Sequence, residues 1–143
     1  MITRRFNEAD REALRDVYLL TRKQRFGWLG KSTLDRSDFD TDTNGESIWV
    51  CESESKVVGF ISAQLTGRFI HHLFILPQFS NNGFGSKLLK VCIAEIGYPA
   101  QLKCVAENID ALNFYKSKGW LTRSKGQGID GEYHLLELME HNT

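Results

Sequence analysis

The sequence predicts an α+β domain, a mixed sheet with helices on both faces, and three observations carry that reading. Strand-like and helix-like segments follow the order strand, one or two helices, three strands, helix, strand, helix, two strands, which is not the strict alternation of a dinucleotide-binding fold. The run Leu73-Phe74-Ile75-Leu76 is continuously apolar, as in a strand covered on both sides, whereas a sheet with one wet face alternates. With 41% hydrophobic and 25% charged residues, 143 residues suffice for a single domain over 1–143 that buries roughly two thirds of its unfolded surface.

Each element has its own signal. Ile2 to Phe6 reads as a first strand. Asn7, with Asp10 three residues on, reads as the N-cap of an amphipathic helix whose apolar set is Ala13, Leu14, Val17 and Leu20. A second helical stretch is expected around Gln24 to Leu29, and the polar, acidic Asp35 to Gly45 is expected to be a loop. Ser47 to Glu52 and Val57 to Leu65, rich in β-branched and aromatic residues, form a hairpin about Glu54-Ser55-Lys56. Arg68 to Leu76 is a further strand, stopped by Pro77. From Gly85 to Ile96, Leu88, Leu89, Cys92, Ile93 and Ile96 recur at helical spacing. Gln101 to Ala106 is a strand, after which Asn108 or Asp110 caps a helix through Lys118, ended by Gly119. Trp120 to Arg123 and Tyr133 to Met139 are strands around a glycine-bearing loop.

Charge and cysteine usage narrow the partners. Lys plus Arg and Asp plus Glu balance at 18 each, so no summed positive field draws the chain to nucleic acid. Cys51, Cys92 and Cys104 form no CxxC pair, and no signal-like or bilayer-length apolar run is present; a cytoplasmic location away from membranes is expected. The four histidines and the carboxylates show no ligand spacing, so no metal is expected.

The chemistry concentrates where Gly83-Phe84-Gly85 follows a strand and opens a helix. Such a junction offers unpaired backbone N–H groups and the positive end of a helix dipole to a phosphate, and glycine lets the anion approach the amides. The segment lacks the earlier glycine of a P-loop, and Leu88 stands where a dinucleotide fingerprint wants its third glycine.

The stretch Leu73 to Leu89 resembles the strand, proline, (Arg/Gln)xxGxG/A loop and helix of the GNAT superfamily of N-acetyltransferases, and Asn108 to Trp120 is similar to that family's Asn, Ala, Phe-Tyr, Gly-Phe signature. The resemblance implies a GNAT-like, mixed, mainly antiparallel sheet and acetyl-coenzyme A as cosubstrate. Leu73, Phe74 and Ile75 would pair with its pantetheine arm, in a slot where the strands ending at Leu76 and beginning at Gln101 splay apart. Asn81, Asn82, Gly83, Phe84, Gly85 and Ser86 would cradle the pyrophosphate, with Asn108 adding a contact from the next helix. Position 80 departs from the pattern, Ser standing where the family has Arg or Gln. Relatives of this fold often form dimers, so a homodimer stays an open expectation.

In that frame Tyr115 is the expected acid for the departing thiolate. An amine acceptor must lose a proton before it attacks. Certain family members place a carboxylate on the strand before the Asn helix, but Lys103 occupies that position here. His71 and His72, on the strand entering the loop, are the alternative bases, and strand alternation would turn them to opposite faces. Asp35, Asp38, Asp40 and Asp42 could attract a cationic amine or simply be a solvated run, and Trp28 could line an acceptor pocket. The expected function is acetyl transfer to an amine of a small molecule or peptide; the rival is a non-catalytic acyl-CoA-binding or regulatory domain of the same fold.

Overall fold

A computed structural model describes residues 1–26, 34–129 and 131–140. The first turn is fixed by a capping box: Asn7 Oδ1 accepts from the Ala9 N–H at 3.0 Å and the Asp10 carboxylate accepts from the Asn7 N–H at 2.8 Å. Arg4 in β1 (Ile2–Arg5) pins the same carboxylate through two bonds of 2.8 and 2.9 Å. A single 3-10 turn then runs into α1 (Arg11–Phe26). Its buried stripe is Leu14, Val17, Tyr18 and Thr21, while Leu20, expected inward, stands exposed. The i, i+3, i+4, i+7 spacing from Leu14 selects Tyr18 instead. The proposed second helix over Gln24 to Leu29 is partly absorbed by α1, which continues to Phe26; its remainder and Trp28 lie outside the described residues.

The acidic stretch is not a loop throughout. Asp38–Asp42 forms a short helix, α2, because α1 supplies arginines for its carboxylates. Asp40 accepts from Arg11 and Arg15 at 2.8 and 2.9 Å, and Asp38 from Arg22 at 3.2 Å. Those two charges are met inside the protein, so they are neither a free lure for a cationic substrate nor a merely solvated run.

The sheet has seven strands in the order β1-β2-β3-β4-β5-β7-β6, with β2 (Ser47–Ser53), β3 (Lys56–Gln64), β4 (Phe69–Ile75), β5 (Ala100–Val105), β6 (Leu121–Gly128) and β7 (Gly131–Leu138). Among the described residues only β4 and β5 run parallel, joined by the crossover helix α3 (Phe84–Ile96); all other neighbours are antiparallel. The sheet is thus mixed, mainly antiparallel and covered by helices on both faces. On one face Tyr18 and Phe39 meet Phe60 edge to face at 6.0 and 5.3 Å. The core gathers Trp49, Phe60, Ile61, Leu88, Leu136 and Trp120, all essentially inaccessible.

The last hairpin is longer than its sequence suggested, because β6 continues through Gly128. At Gly126 a Cβ would lie 2.5 Å from the Tyr133 hydroxyl, so any side chain there requires the Tyr133 ring to move. Gly59 in β3 is required by close packing, with Ile75 Cδ1 and the backbone carbonyl of Phe74 within 2.7 Å of where a Cβ would stand. Among the described residues no helix is long and apolar enough to cross a membrane.

Candidate active site

Two irregularities in β4 build the site. The first is a fork: the parallel ladder with β5 registers Phe69 with Gln101 and Ile70 with Leu102, and no later pair among the described residues. Beyond Ile70 the strands part, so Leu73, Phe74 and Ile75 are only half-buried instead of enclosed on both faces as their apolar run suggested. A cleft of about 310 Å³ opens there between α1 and β4, lined by Thr21, Gln24, Leu73, Phe74, Ile75 and Pro77.

The second irregularity is a bulge. Ser62 pairs with His72 but Ala63 pairs with Ile70, leaving His71 as the extra residue. The bulge breaks the alternation that was expected to separate the histidines, and both rings reach the same carboxylate, that of Glu46. His71 Nδ1 is hydrogen-bonded to Glu46 Oε2, and His72 Nδ1 lies 3.5 Å from Glu46 Oε1. The Glu46 side chain is 5% exposed and its Oε1 accepts no hydrogen bond from the described residues. Gly45, at φ +78°, makes the turn that delivers Glu46 to the start of β2.

His72 is enclosed. Its Nδ1 meets the buried Ser62 hydroxyl at 2.8 Å and its Nε2 faces the Tyr18 hydroxyl at 3.5 Å, while Tyr18 donates to Asp42 at 2.6 Å. Tyr18 and Phe74 flank the ring at 5.4 and 6.1 Å. Burial holds the His72 imidazole below the ordinary histidine value, against the pull of Glu46 and with help from His71, Asp42 adding a smaller upward pull. The unfolded chain therefore binds more protons than the folded one below about pH 6.5, and stability is lost as pH falls through that window. Melting temperature should decline between pH 7 and 5.5, and His72→Gln should flatten the decline; an equal slope in the variant would assign it to other groups. Asp10, held below the usual carboxylate range chiefly by its bonds from Arg4, gives up its contribution only at lower pH.

The turn after β4 leads into a helix start that carries no side-chain cap and no acidic residue. Pro77–Phe79 forms a 3-10 turn, closed by the Ser80 hydroxyl donating to the Pro77 carbonyl at 2.7 Å, so Ser80 is spent on the turn itself. Asn81 adopts φ +63°, and Asn82 Nδ2 donates to the Phe79 carbonyl at 3.3 Å. Gly83 caps α3 at φ +85° with no side-chain hydrogen bond, and the first turn carries no acidic residue. The first amides of a 13-residue helix, including those of Gly85 and Ser86, thus have no side-chain cap and no opposing carboxylate. Phe84 is buried against Phe79 and can offer a ligand only its backbone. Phe114, from α4 (Ile109–Ser117), covers Gly85, where a Cβ would sit 3.4 Å from its ring.

Asn108, not Asp110, is the N-cap of α4, its Oδ1 accepting from the Ala111 N–H at 3.2 Å. Tyr115 is buried on α4, its ring 5.3 Å from Phe114 and 5.8 Å from Trp120. Lys103 lies over the Tyr133 ring at 4.8 Å, leaving no carboxylate at that position of β5. Burial pushes the Cys51 and Cys92 thiols up to about 12, which removes them as nucleophiles.

Residues 44–120, just over half of the chain, match the family described as acetyltransferase (GNAT) domain. The chain belongs to the GNAT acetyltransferase family. Among solved structures, the GCN5-related N-acetyltransferase from Rhodopseudomonas palustris aligns at TM-score 0.76 and 13% identity, over 97% of this chain and 95% of that one. The ribosomal-protein-S18-alanine N-acetyltransferase from Escherichia coli aligns at TM-score 0.74 and 16% identity, over 96% and 92%. The protein yncA from Salmonella typhimurium, solved with its cofactor acetyl-CoA, aligns at 0.74 and 17%, over 100% and 96%. At these identities the likeness establishes the fold. No curated protein matches the chain.

For this GNAT chain the fork and the uncapped helix fit acetyl-coenzyme A, one end of the site accepting an extended arm and the other a pyrophosphate. Sequence reading missed Glu46 and Tyr18. Glu46 sat at the edge of a presumed loop, and Tyr18 showed only as a gap in an apolar pattern; the stripe counted from Leu14 would have found the latter.

Proposed function

We propose that this protein is a cytoplasmic N-acetyltransferase that moves an acetyl group from acetyl-coenzyme A to an amine of a small molecule or peptide by direct attack. The observation that carries the reading is the position of the histidine pair: His71 directly follows Ile70, the last residue of β4 paired with β5, at the apex of the slot. The free, buried cysteines agree with a reducing compartment.

Bound in the slot, acetyl-coenzyme A supplies an acetyl group already activated as a thioester. The Leu73 to Ile75 edge would hold the arm, the amides from Asn81 to Ser86 the pyrophosphate, and Asn108 a further polar contact. A histidine of the pair accepts the proton of the incoming ammonium, which frees the nitrogen lone pair. The carbon–nitrogen bond forms as the carbon–sulfur bond breaks; the Tyr115 hydroxyl protonates the departing sulfur, and the second proton lost by the acylated nitrogen restores the phenol. One ammonium and one thioester give one amide, one thiol and one proton released to solvent.

The test is thiol release from acetyl-coenzyme A across a library of amines, including peptide N-termini. Release with some amine well above the slow hydrolysis rate is expected. Tight binding with no release for any amine would favour a non-catalytic acyl-CoA-binding domain.

A further inference from the structure

The two histidines share a carboxylate yet differ in everything else, and that difference separates their roles. His72 has both ring nitrogens engaged, Nδ1 by Ser62 and Nε2 by Tyr18, inside an aromatic enclosure. The His71 side chain is 34% exposed, its Nδ1 is held by Glu46, and its Nε2 makes no hydrogen bond among the described residues. Resting on the acetyl-transfer reading above, we propose that Glu46 is a positioning residue that fixes His71 as the Nδ1–H tautomer, leaving Nε2 to take the proton of the acceptor ammonium, while His72 serves as a structural support.

The geometry favours this division. A carboxylate bonded to Nδ1–H fixes both the ring orientation and the tautomer, so that the lone pair sits on Nε2. Glu46 can do this only because three local features converge: the left-handed Gly45 turn, the bulge that turns His71 toward it, and the near-complete burial that keeps water from competing for the carboxylate. In the reaction the ammonium N–H bond breaks, its proton binds Nε2, and the electron pair stays on the acceptor nitrogen; Nδ1–H remains on Glu46. The proton then leaves Nε2 to solvent and the ring is reset. The acidic and basic groups around the pair are Glu46 before β2, Asp42 from α2, Tyr18 from α1 and the second histidine itself.

The acceptor itself is not called upon to bind Glu46, which distinguishes this arrangement from an ammonium-binding carboxylate. Two measurements decide it. Nitrogen-15 spectra of the imidazoles, taken without any substrate, should show neutral His71 as the Nδ1–H tautomer and His72 as Nε2–H, with Glu46→Ala returning His71 to the Nε2–H form that free histidine prefers. Nε2–H at His71 in the parent would overturn the assignment whatever the protein acetylates, just as a parent that acetylates no amine would sink the acetyl-transfer reading whatever the tautomer.

The second measurement is a double-mutant cycle in turnover. His71→Ala should lower kcat by about 10² to 10⁴. Glu46→Ala should lower it at least about tenfold in the parent and scarcely at all in the His71→Ala background, because a positioning residue acts only through its partner. Glu46→Gln, which preserves shape and an accepting oxygen, should recover part of the loss and serves where Glu46→Ala does not fold. Additive losses, or a raised acceptor KM that persists without His71, would show that Glu46 binds substrate or supports the fold, and would overturn the proposal.

Discussion

Gly85→Glu should abolish the rise in melting temperature that acetyl-coenzyme A gives the parent protein. A ligand at 100 times its dissociation constant stabilises the folded state by about 2.7 kcal/mol. For a chain of 143 residues that is a shift of roughly 5–10 °C. The substitution places a carboxylate within the first turn of α3, where the cap makes no side-chain hydrogen bond and no acidic residue stands at present. It brings the wrong charge to the site of a pyrophosphate. Its Cβ would stand 3.4 Å from the Phe114 ring, at the near edge of ordinary van der Waals contact. Loss of fold is not the expected reason for the result, since an acid near a helix N-terminus is favourable by about 0.3–1 kcal/mol. Gly85→Gln separates the effects: it carries nearly the same steric load without the charge and should retain part of the shift. A folded Gly85→Glu protein with the parent shift would remove this loop from the cofactor site.

The parts of the molecule that follow from short-range pattern were legible in the sequence, and the parts made by distant partners were not. The capping box at Asn7, the β2–β3 hairpin and the glycine entry to α3 each depend on residues close in sequence, and the structure has them where they were expected. α2 was missed because its stability comes from Arg11, Arg15 and Arg22, some 16 to 29 positions away. The histidine arrangement was missed for a related reason. Alternation in a strand holds only where the partner strand stays in register, and the bulge opposite Ser62 and Ala63 is a property of the β3–β4 pair that neither strand announces. The carboxylate that unites the two rings comes from 25 positions upstream, and only the folded sheet places it there.

Tyr115→Phe should lower kcat by about 10² to 10⁴ while cofactor affinity and the melting temperature stay close to those of the parent. The ring is buried on α4 between Phe114 and Trp120, edge to face with both, and phenylalanine keeps that surface and those contacts. What the variant lacks is a proton donor whose use arises as charge develops on the departing sulfur. An interaction made in the transition state and not with the bound ground state changes kcat and kcat/KM together and leaves binding alone. The chemistry of the leaving group supplies an independent check. Replacing the coenzyme thioester by one whose thiol is more acidic reduces the need for protonation, so the penalty in Tyr115→Phe should shrink with such a donor. A penalty that is the same for both donors would place Tyr115 among the residues that only pack α4 against the sheet, and full activity in the variant would remove it from the mechanism.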